Sequence, residues 1–131
     1  MIPVALVCSI ASVYYDSQPI EWGDYSRSSL NKHIRDKRMV LVFFNAEWDA
    51  TSQMVEQQAI DTFWVRRLIR RRNIVALRAD LTAYRSGHLV NKMTPTIEMY
   101  SPDSADYLEI EGLVSEDQLY QDLLDFITRS R

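Results

Sequence analysis

The sequence predicts an α/β domain, with a mixed central sheet of about four to five strands that is flanked by helices on both faces. Residues 38–45 form a continuous apolar run with β-branched and aromatic side chains, and residues 74–80 form a second run of the buried type. Residues 96–100 and 105–111 alternate between apolar and polar, as the two strands of an antiparallel hairpin do. Segments with helical spacing separate these strands, so helices are expected on both sides of the sheet.

Three helices are predicted in the first half of the domain. Residues 19–25 are interpreted as a turn-rich link, after which Ser26 caps a helix over residues 26–37. Residues 50–60 form the next helix, and residues 61–73 the third. The third helix carries an apolar stripe made of Trp64, Val65, Leu68 and Ile69.

The C-terminal part supplies a loop, the hairpin and a last helix. Residues 82–92 indicate a loop with a short helix ahead of the hairpin. The last helix covers residues 115–130 and opens with a predicted capping box of Ser115 and Gln118. Its predicted buried side chains are Leu119, Leu123, Leu124 and Ile127.

A chain of 131 residues fits one domain, which we assign to residues 19–131. Residues 1–18 form an apolar segment ahead of it. The apolar run is shorter than the roughly 20 residues of a membrane span, and no basic residue precedes it, as a secretory signal would require. Three interpretations remain open, namely a strand or helix packed on the domain, the remnant of a membrane segment, and a poor signal peptide.

Composition excludes several classes of site. Cys8 is the one cysteine, so neither an intramolecular disulfide nor a CxxC pair can form. His33 and His88 are far apart and show no ligand spacing, so no metal and no cofactor is predicted. The formal net charge of -3 gives no reason to expect nucleic acid as a partner.

Several stretches resemble thioredoxin-like domains, and more narrowly the C-terminal thioredoxin-like domain of the DsbD family of thiol:disulfide interchange proteins. The resemblance covers residues 19–128. It includes the strand that runs into Ala-Glu-Trp at residues 46–48, the segment VALRADLTA at 75–83, the tripeptide TPT at 94–96, and YLEIEGLVSEDQLYQDL at 107–123. The resemblance implies a thioredoxin fold in which Pro95 is the cis-proline beside the active site.

The same resemblance shows where this chain departs from the redox enzymes. They carry cysteines at the positions of Asp49 and Ser52, often a buried acid at that of Phe43, and often a lysine at that of Gln53. Thiol–disulfide exchange needs an attacking thiolate and a second thiol, and a carboxylate at a helix N-terminus is a poor nucleophile toward sulfur. We therefore expect a redox-inactive domain and no enzymatic activity. The alternative is a DsbD-like oxidoreductase with a residual or partner-dependent redox role, through Cys8 or a partner's thiols.

A binding groove is the function that such a site can keep. By resemblance, it consists of the exposed aromatic, the helix start and the proline loop. These positions are Trp48, Asp49, Ala50, Thr51, Ser52, Thr94 and Pro95. In the family's redox enzymes the groove holds an extended partner segment through backbone hydrogen bonds, a mode that needs no thiol. The predicted partner is therefore a protein or an extended peptide segment, and a pure scaffold is the alternative.

A basic run on the third predicted helix is a second candidate surface. Helical spacing places Arg66, Arg67, Arg70 and Arg71 on one side. They are interpreted either as a solvated face that balances 18 acidic residues or as a contact for anionic lipid headgroups. The compartment is membrane-associated or extracytoplasmic by resemblance, and cytoplasmic if residues 1–15 are a packed element. Nothing in the sequence predicts an oligomeric state.

Overall fold

The computed structural model describes residues 18–82, 92–102 and 106–130, which contain five strands and four helices. In chain order they are β1 (Trp22–Asp24), α1 (Arg27–Arg35), β2 (Val40–Asn45), α2 (Ala50–Val55, continued by a π-helical turn over Glu56–Ile60), α3 (Phe63–Arg71), β3 (Val75–Asp80), β4 (Thr96–Tyr100), β5 (Tyr107–Glu111) and α4 (Glu116–Arg129).

The five strands form one mixed sheet in the order β1-β3-β2-β4-β5. β1, β3 and β2 run parallel, whereas β4 and β5 are antiparallel, which confirms the predicted hairpin. Asn45 at the end of β2 pairs with Asp80, and Phe44 pairs with Thr96. The ends of β2 and β3 and the start of β4 therefore meet at one edge, where the loops that follow them come together.

Helices cover both faces of the sheet, as predicted. For this reason β2 is buried along its whole length. Leu41 and Phe43 pack into a core with α2, α3 and α4 on one face. Val40, Val42 and Phe44 point to the other face, where Leu30 of α1 contributes. Period-two alternation along a strand buried on both sides produces these two cores.

Three details of the prediction were wrong. The predicted link at 19–25 contains β1, a three-residue edge strand that pairs with β3. Trp64 does not belong to the buried stripe of α3, since 51% of it is exposed. In α4, Leu124 is only partly buried, whereas Phe126 is completely buried.

The predicted caps are present with one difference. The Ser26 hydroxyl accepts a hydrogen bond from the Ser29 amide at 2.9 Å, and the Ser115 hydroxyl accepts one from the Gln118 amide at 3.2 Å. The Gln118 side chain donates to Asp122 at 2.7 Å instead of returning to the cap. The capping box is therefore only half formed, because an acceptor one turn ahead competes for the same amide.

The predictions for residues 1–17, including Cys8, and for residues 83–91, including His88, lie outside the described residues. Across the ranges that are described, no helix is long and apolar enough to cross a membrane.

Candidate functional site

Asp49 is the centre of the candidate site, which lies where α2 begins. Its backbone is extended, and one carboxylate oxygen, Oδ1, accepts from the Thr51 amide at 3.0 Å, so Asp49 is the N-cap of α2. The other oxygen, Oδ2, accepts from the Ser52 hydroxyl at 2.9 Å and from the Thr94 hydroxyl at 3.0 Å. We call Asp49, Ser52 and Thr94 the polar junction, because they join α2 to the loop before β4.

The polar junction keeps the Asp49 carboxylate charged. Burial by itself would raise the pKa of Asp49, but hydrogen bonds from Ser52, Thr94 and the backbone of residues 51 and 52 lower the pKa below its ordinary value of 3.8. The helix N-terminus favours the same negative charge. A carboxylate with a low pKa is a weak base, so Asp49 is poorly suited to activate the Ser52 hydroxyl.

Ser52 is engaged on both sides. Its side chain is buried, with 1% of the residue exposed. The hydroxyl donates to Asp49 and receives a long hydrogen bond, 3.4 Å, from the Ala46 amide. No histidine within the described part contacts the hydroxyl, and no group of three or more His, Cys, Asp or Glu side chains there could hold a metal ion. This geometry stabilises the start of α2.

Thr94 and Pro95 form the second wall of the site. Their peptide bond is cis, as the resemblance implies, and Pro95 is buried. The Pro95 carbonyl accepts from the Gly112 amide at 2.9 Å, and Gly112 has a φ of 78°, which a glycine adopts readily. Among the described residues, neither the N–H nor the C=O of Thr94 takes part in a backbone–backbone hydrogen bond. Two backbone groups beside the cis bond are therefore without a backbone partner in the part of the chain that the structure describes.

Three exposed apolar side chains are next in sequence to residues of the site. Trp48 is 75% exposed, Met93 is 58% exposed and Leu113 is 68% exposed. We call these three residues the apolar rim, because each is next in sequence to a residue that builds the site walls. Met93 and Leu113 were missed in the sequence analysis. Their positions next to Thr94 and Gly112 could have indicated that they lie near the site.

The remaining predicted residues have structural positions. Ala50 and Thr51 form the first turn of α2, where Ala50 is exposed and Thr51 is partly buried. The Gln53 side chain donates to the Glu47 carbonyl at 2.8 Å. Phe43 is fully buried, and its ring lies 5.8 Å from the Arg78 guanidinium. The position of Phe43 therefore contributes packing and no titratable group.

The arginines of the basic run on α3 have partners within the protein. Arg66 forms an ion pair with Asp61 at 2.7 Å, and Arg70 donates to the Pro19 carbonyl at 2.7 Å. The Arg67 guanidinium lies 5.6 Å from the centre of the Trp64 ring. Of the four arginines of this run only Arg71 is exposed, and it also has an interaction partner. The run is therefore largely engaged by the protein itself.

Comparisons with known proteins agree with this architecture. The family model described as thioredoxin-like matches residues 21–102. Among curated proteins, none matches the sequence.

Solved structures show the same fold at low identity. Chloroplastic thioredoxin z is 20% identical, with a TM-score of 0.59, and the match covers 83% of this chain and 96% of that one. A thioredoxin from Thermus thermophilus is 20% identical, with a TM-score of 0.55 and coverage of 86% and 88%. The DsbH oxidoreductase is 8% identical, with a TM-score of 0.57 and coverage of 86% and 85%. These neighbours establish a thioredoxin-like α/β fold.

Proposed function

Because the chain belongs to the thioredoxin-like family, we propose that it is a redox-inactive binding module that holds an extended segment of another protein. The observation that carries this proposal is the position of the Asp49 carboxylate. It lies at the start of α2 and accepts a hydrogen bond of 3.0 Å from the Thr94 hydroxyl. A carboxylate cannot form a mixed disulfide, which is the intermediate of thiol–disulfide exchange. The exposed apolar side chains of the apolar rim support contact with a partner.

The loss of redox chemistry follows from residues 49 and 52 together. By resemblance they stand at the two cysteine positions of the family's redox enzymes. A hydrogen bond of 2.9 Å between the Ser52 hydroxyl and Asp49 links them. This bond holds the first turn of α2 together without any group that can be oxidised or reduced.

Binding is supported by the apolar rim and by Thr94. A tryptophan that is 75% exposed is an effective anchor for a partner, because burying an aromatic ring removes a large apolar area from water. The backbone N–H and C=O of Thr94 can pair with an extended chain, which is strand addition at the start of β4. The apolar rim would then supply pockets for the partner's alternate side chains.

Two finer assignments are part of the same proposal. The likeness to the DsbD family rests on the stretches quoted for it, and it would place the domain beside a membrane with residues 1–16 as the attachment. A partner-dependent redox role of the DsbD type is the competing function. The two functions differ in a measurable way, because only the second reduces disulfides.

Insulin reduction with dithiothreitol tests the absence of redox chemistry. We expect the rate of insulin precipitation to equal that of dithiothreitol alone. The double variant Asp49→Cys/Ser52→Cys is the positive control, because it restores two thiols at the start of α2. Catalysis by the wild-type chain above background would refute redox inactivity and favour the DsbD-type role.

Selection from a phage-displayed library of unstructured peptides tests the binding site. We expect enriched peptides to bind the Trp48→Ala variant at least about tenfold more weakly than the wild type, as loss of an aromatic anchor predicts. Trp64→Ala is the matched control, since Trp64 is also exposed but lies on α3. Equal binding by wild type and Trp48→Ala would show that the proposed face is not used.

A further inference from the structure

A second cavity lies away from the polar junction, beside the N-terminal ends of the parallel strands. Its volume is about 490 Å³, which falls within the range of small-molecule sites. Residues of β1, β3, α1 and α3 line it, together with Arg38 in the loop that enters β2. We call it the basal cavity, because the candidate site is at the opposite, C-terminal ends of β2 and β3.

Positive side chains predominate in the walls of the basal cavity. Arg38, Arg66 and Arg70 line it, against one carboxylate, that of Glu21. Arg66 is partly neutralised by its ion pair with Asp61. Arg38 is different, because its terminal nitrogen Nη2 donates to two neutral oxygens of Asn73, the carbonyl at 3.0 Å and the side-chain oxygen at 2.9 Å. These contacts orient the guanidinium without cancelling its charge.

One donor of Arg38 has no acceptor. The Nε atom is buried and, among the described residues, forms no hydrogen bond. Asn73 follows the C-cap residue of α3 and has a φ of 53°, so the bonds from Nη2 are explained as fixing the turn that leaves this helix. These bonds leave Nε unexplained, and a buried N–H without a partner carries a free-energy cost. An acceptor brought by a ligand would remove this cost.

The rest of the wall is apolar. Trp22, Ile69 and Ile74 line the basal cavity beside the arginines. We propose that the basal cavity binds a small organic anion, a phosphate or carboxylate attached to an apolar body, with Arg38 contacting the anionic group. The Nε–H can donate to one oxygen of either anion, and the guanidinium charge, which the neutral oxygens of Asn73 do not cancel, attracts both. The apolar body lies against Trp22 and the two isoleucines.

Calorimetric titration with three probes tests the proposal. Phenyl phosphate and benzoate carry the two candidate anionic groups, and phenol carries the ring alone. We expect the wild-type chain to bind at least one anion saturably below about 10 mM, where a millimolar site is filled, and phenol at least about tenfold more weakly. The tighter of the two anions identifies the headgroup. Absence of saturable binding by both anions would overturn the proposal.

Two variants locate the binding. Arg38→Met removes the guanidinium and keeps an apolar stem, and we expect affinity for the anion to fall at least about tenfold. Arg35→Met is the matched control, because Arg35 is exposed at the end of α1 and does not line the basal cavity. Unchanged affinity in Arg38→Met would overturn the proposal.

A measurement on the wild type covers the case in which Arg38→Met does not fold. The Nε–H cross-peak of Arg38 in a ¹H–¹⁵N correlation spectrum is followed during titration with the bound anion. A saturable shift of this cross-peak supports the site. A fixed Arg38 cross-peak during saturable binding would place the anion elsewhere and overturn the assignment.

Discussion

Two carboxylates near the loop that enters β4 are stabilised in different ways. Asp49 lies at the surface end of this region, where two hydroxyls and the backbone at the start of α2 donate to it. Glu98 lies inside β4, is only 4% exposed, and accepts from Lys92 and from the Tyr100 hydroxyl. Neutral donors suffice at a helix N-terminus near water, whereas a buried carboxylate also needs a cation.

The two side chains that donate to Glu98, Lys92 and Tyr100, both have shifted pKa values. Burial alone would lower the pKa of Lys92, but Glu98 and Glu109 raise it above its ordinary value of 10.5. Burial and the hydrogen bond to Glu98 raise the pKa of Tyr100. Lys92 is therefore charged and Tyr100 neutral over the physiological range, and both donate to the same carboxylate. Lys92 also lies 4.8 Å from the centre of the Phe44 ring.

Of the substitutions that test the contrast between Glu98 and Asp49, Lys92→Met should have the largest effect on stability. It leaves the buried Glu98 carboxylate without its cation, and we expect the free energy of unfolding at pH 7 to fall by about 3 kcal/mol. Urea unfolding followed by far-UV circular dichroism measures the change. Because the pKa of Lys92 is raised, its contribution is complete below pH 10.5 and is lost as the pH rises through the folded-state pKa.

The double variant Lys92→Met/Glu98→Gln is the control for this prediction. It removes both charges, so we expect it to be more stable than Lys92→Met alone, since no buried charge is left unpaired. If Lys92→Met unfolds within about 0.5 kcal/mol of the wild type, as a surface substitution does, Glu98 is not held by a cation. The contrast with Asp49 would then disappear.

Asp49→Ala should have a smaller effect with the opposite pH dependence. The N-cap and both hydroxyl bonds are lost, and we expect about 1–2 kcal/mol less stability at pH 7. The pKa of Asp49 is lowered in the folded protein, so its charge contributes fully above pH 3.8 and the contribution is lost as the pH falls through the folded-state pKa. Urea unfolding at neutral and acidic pH measures the difference between variant and wild type.

The expected result is a difference that narrows as the solution is acidified below pH 3.8. Glu111→Ala provides a carboxylate control, because Glu111 is exposed at the end of β5 and its removal should cost within about 0.5 kcal/mol. A stability difference for Asp49→Ala that is the same at every pH would mean that the carboxylate charge plays no part in holding α2.

The framework was predictable from sequence because its signals are local. The uninterrupted apolar run of β2 and the spacing in α3 and α4 identify buried strands and helices directly. β1 was missed because three residues carry no periodicity, and its pairing with β3 is a tertiary contact. Trp64 was misassigned because spacing identifies an apolar side but does not say which of its members reaches the core.

The candidate site was predictable only in part. The resemblance supplied Asp49, Ser52 and Thr94, but their mutual hydrogen bonds depend on side-chain geometry. Alternation along β4 would normally place Glu98 toward solvent, and it is buried because both faces of the sheet are covered. No sequence signal couples Lys92 to Glu98, since this ion pair forms only when the chain turns into β4.

Thr94→Val should have the smallest effect on stability, because it removes only one of the hydroxyls that donate to Asp49 and keeps the shape of the side chain. Asp49 retains its bonds to Ser52 and to the Thr51 amide, so we expect a loss of only about 0.5–1 kcal/mol in urea unfolding. Thr94→Ser is the matched control and should be closer to the wild type, since it keeps the donor. In the double variant Asp49→Ala/Thr94→Val the second substitution should cost almost nothing, because its acceptor is already gone. If the losses in unfolding free energy of the two single variants instead add up in the double variant, the 3.0 Å hydrogen bond does not couple α2 to the loop before β4. Asp49 and Thr94 would then contribute to stability independently.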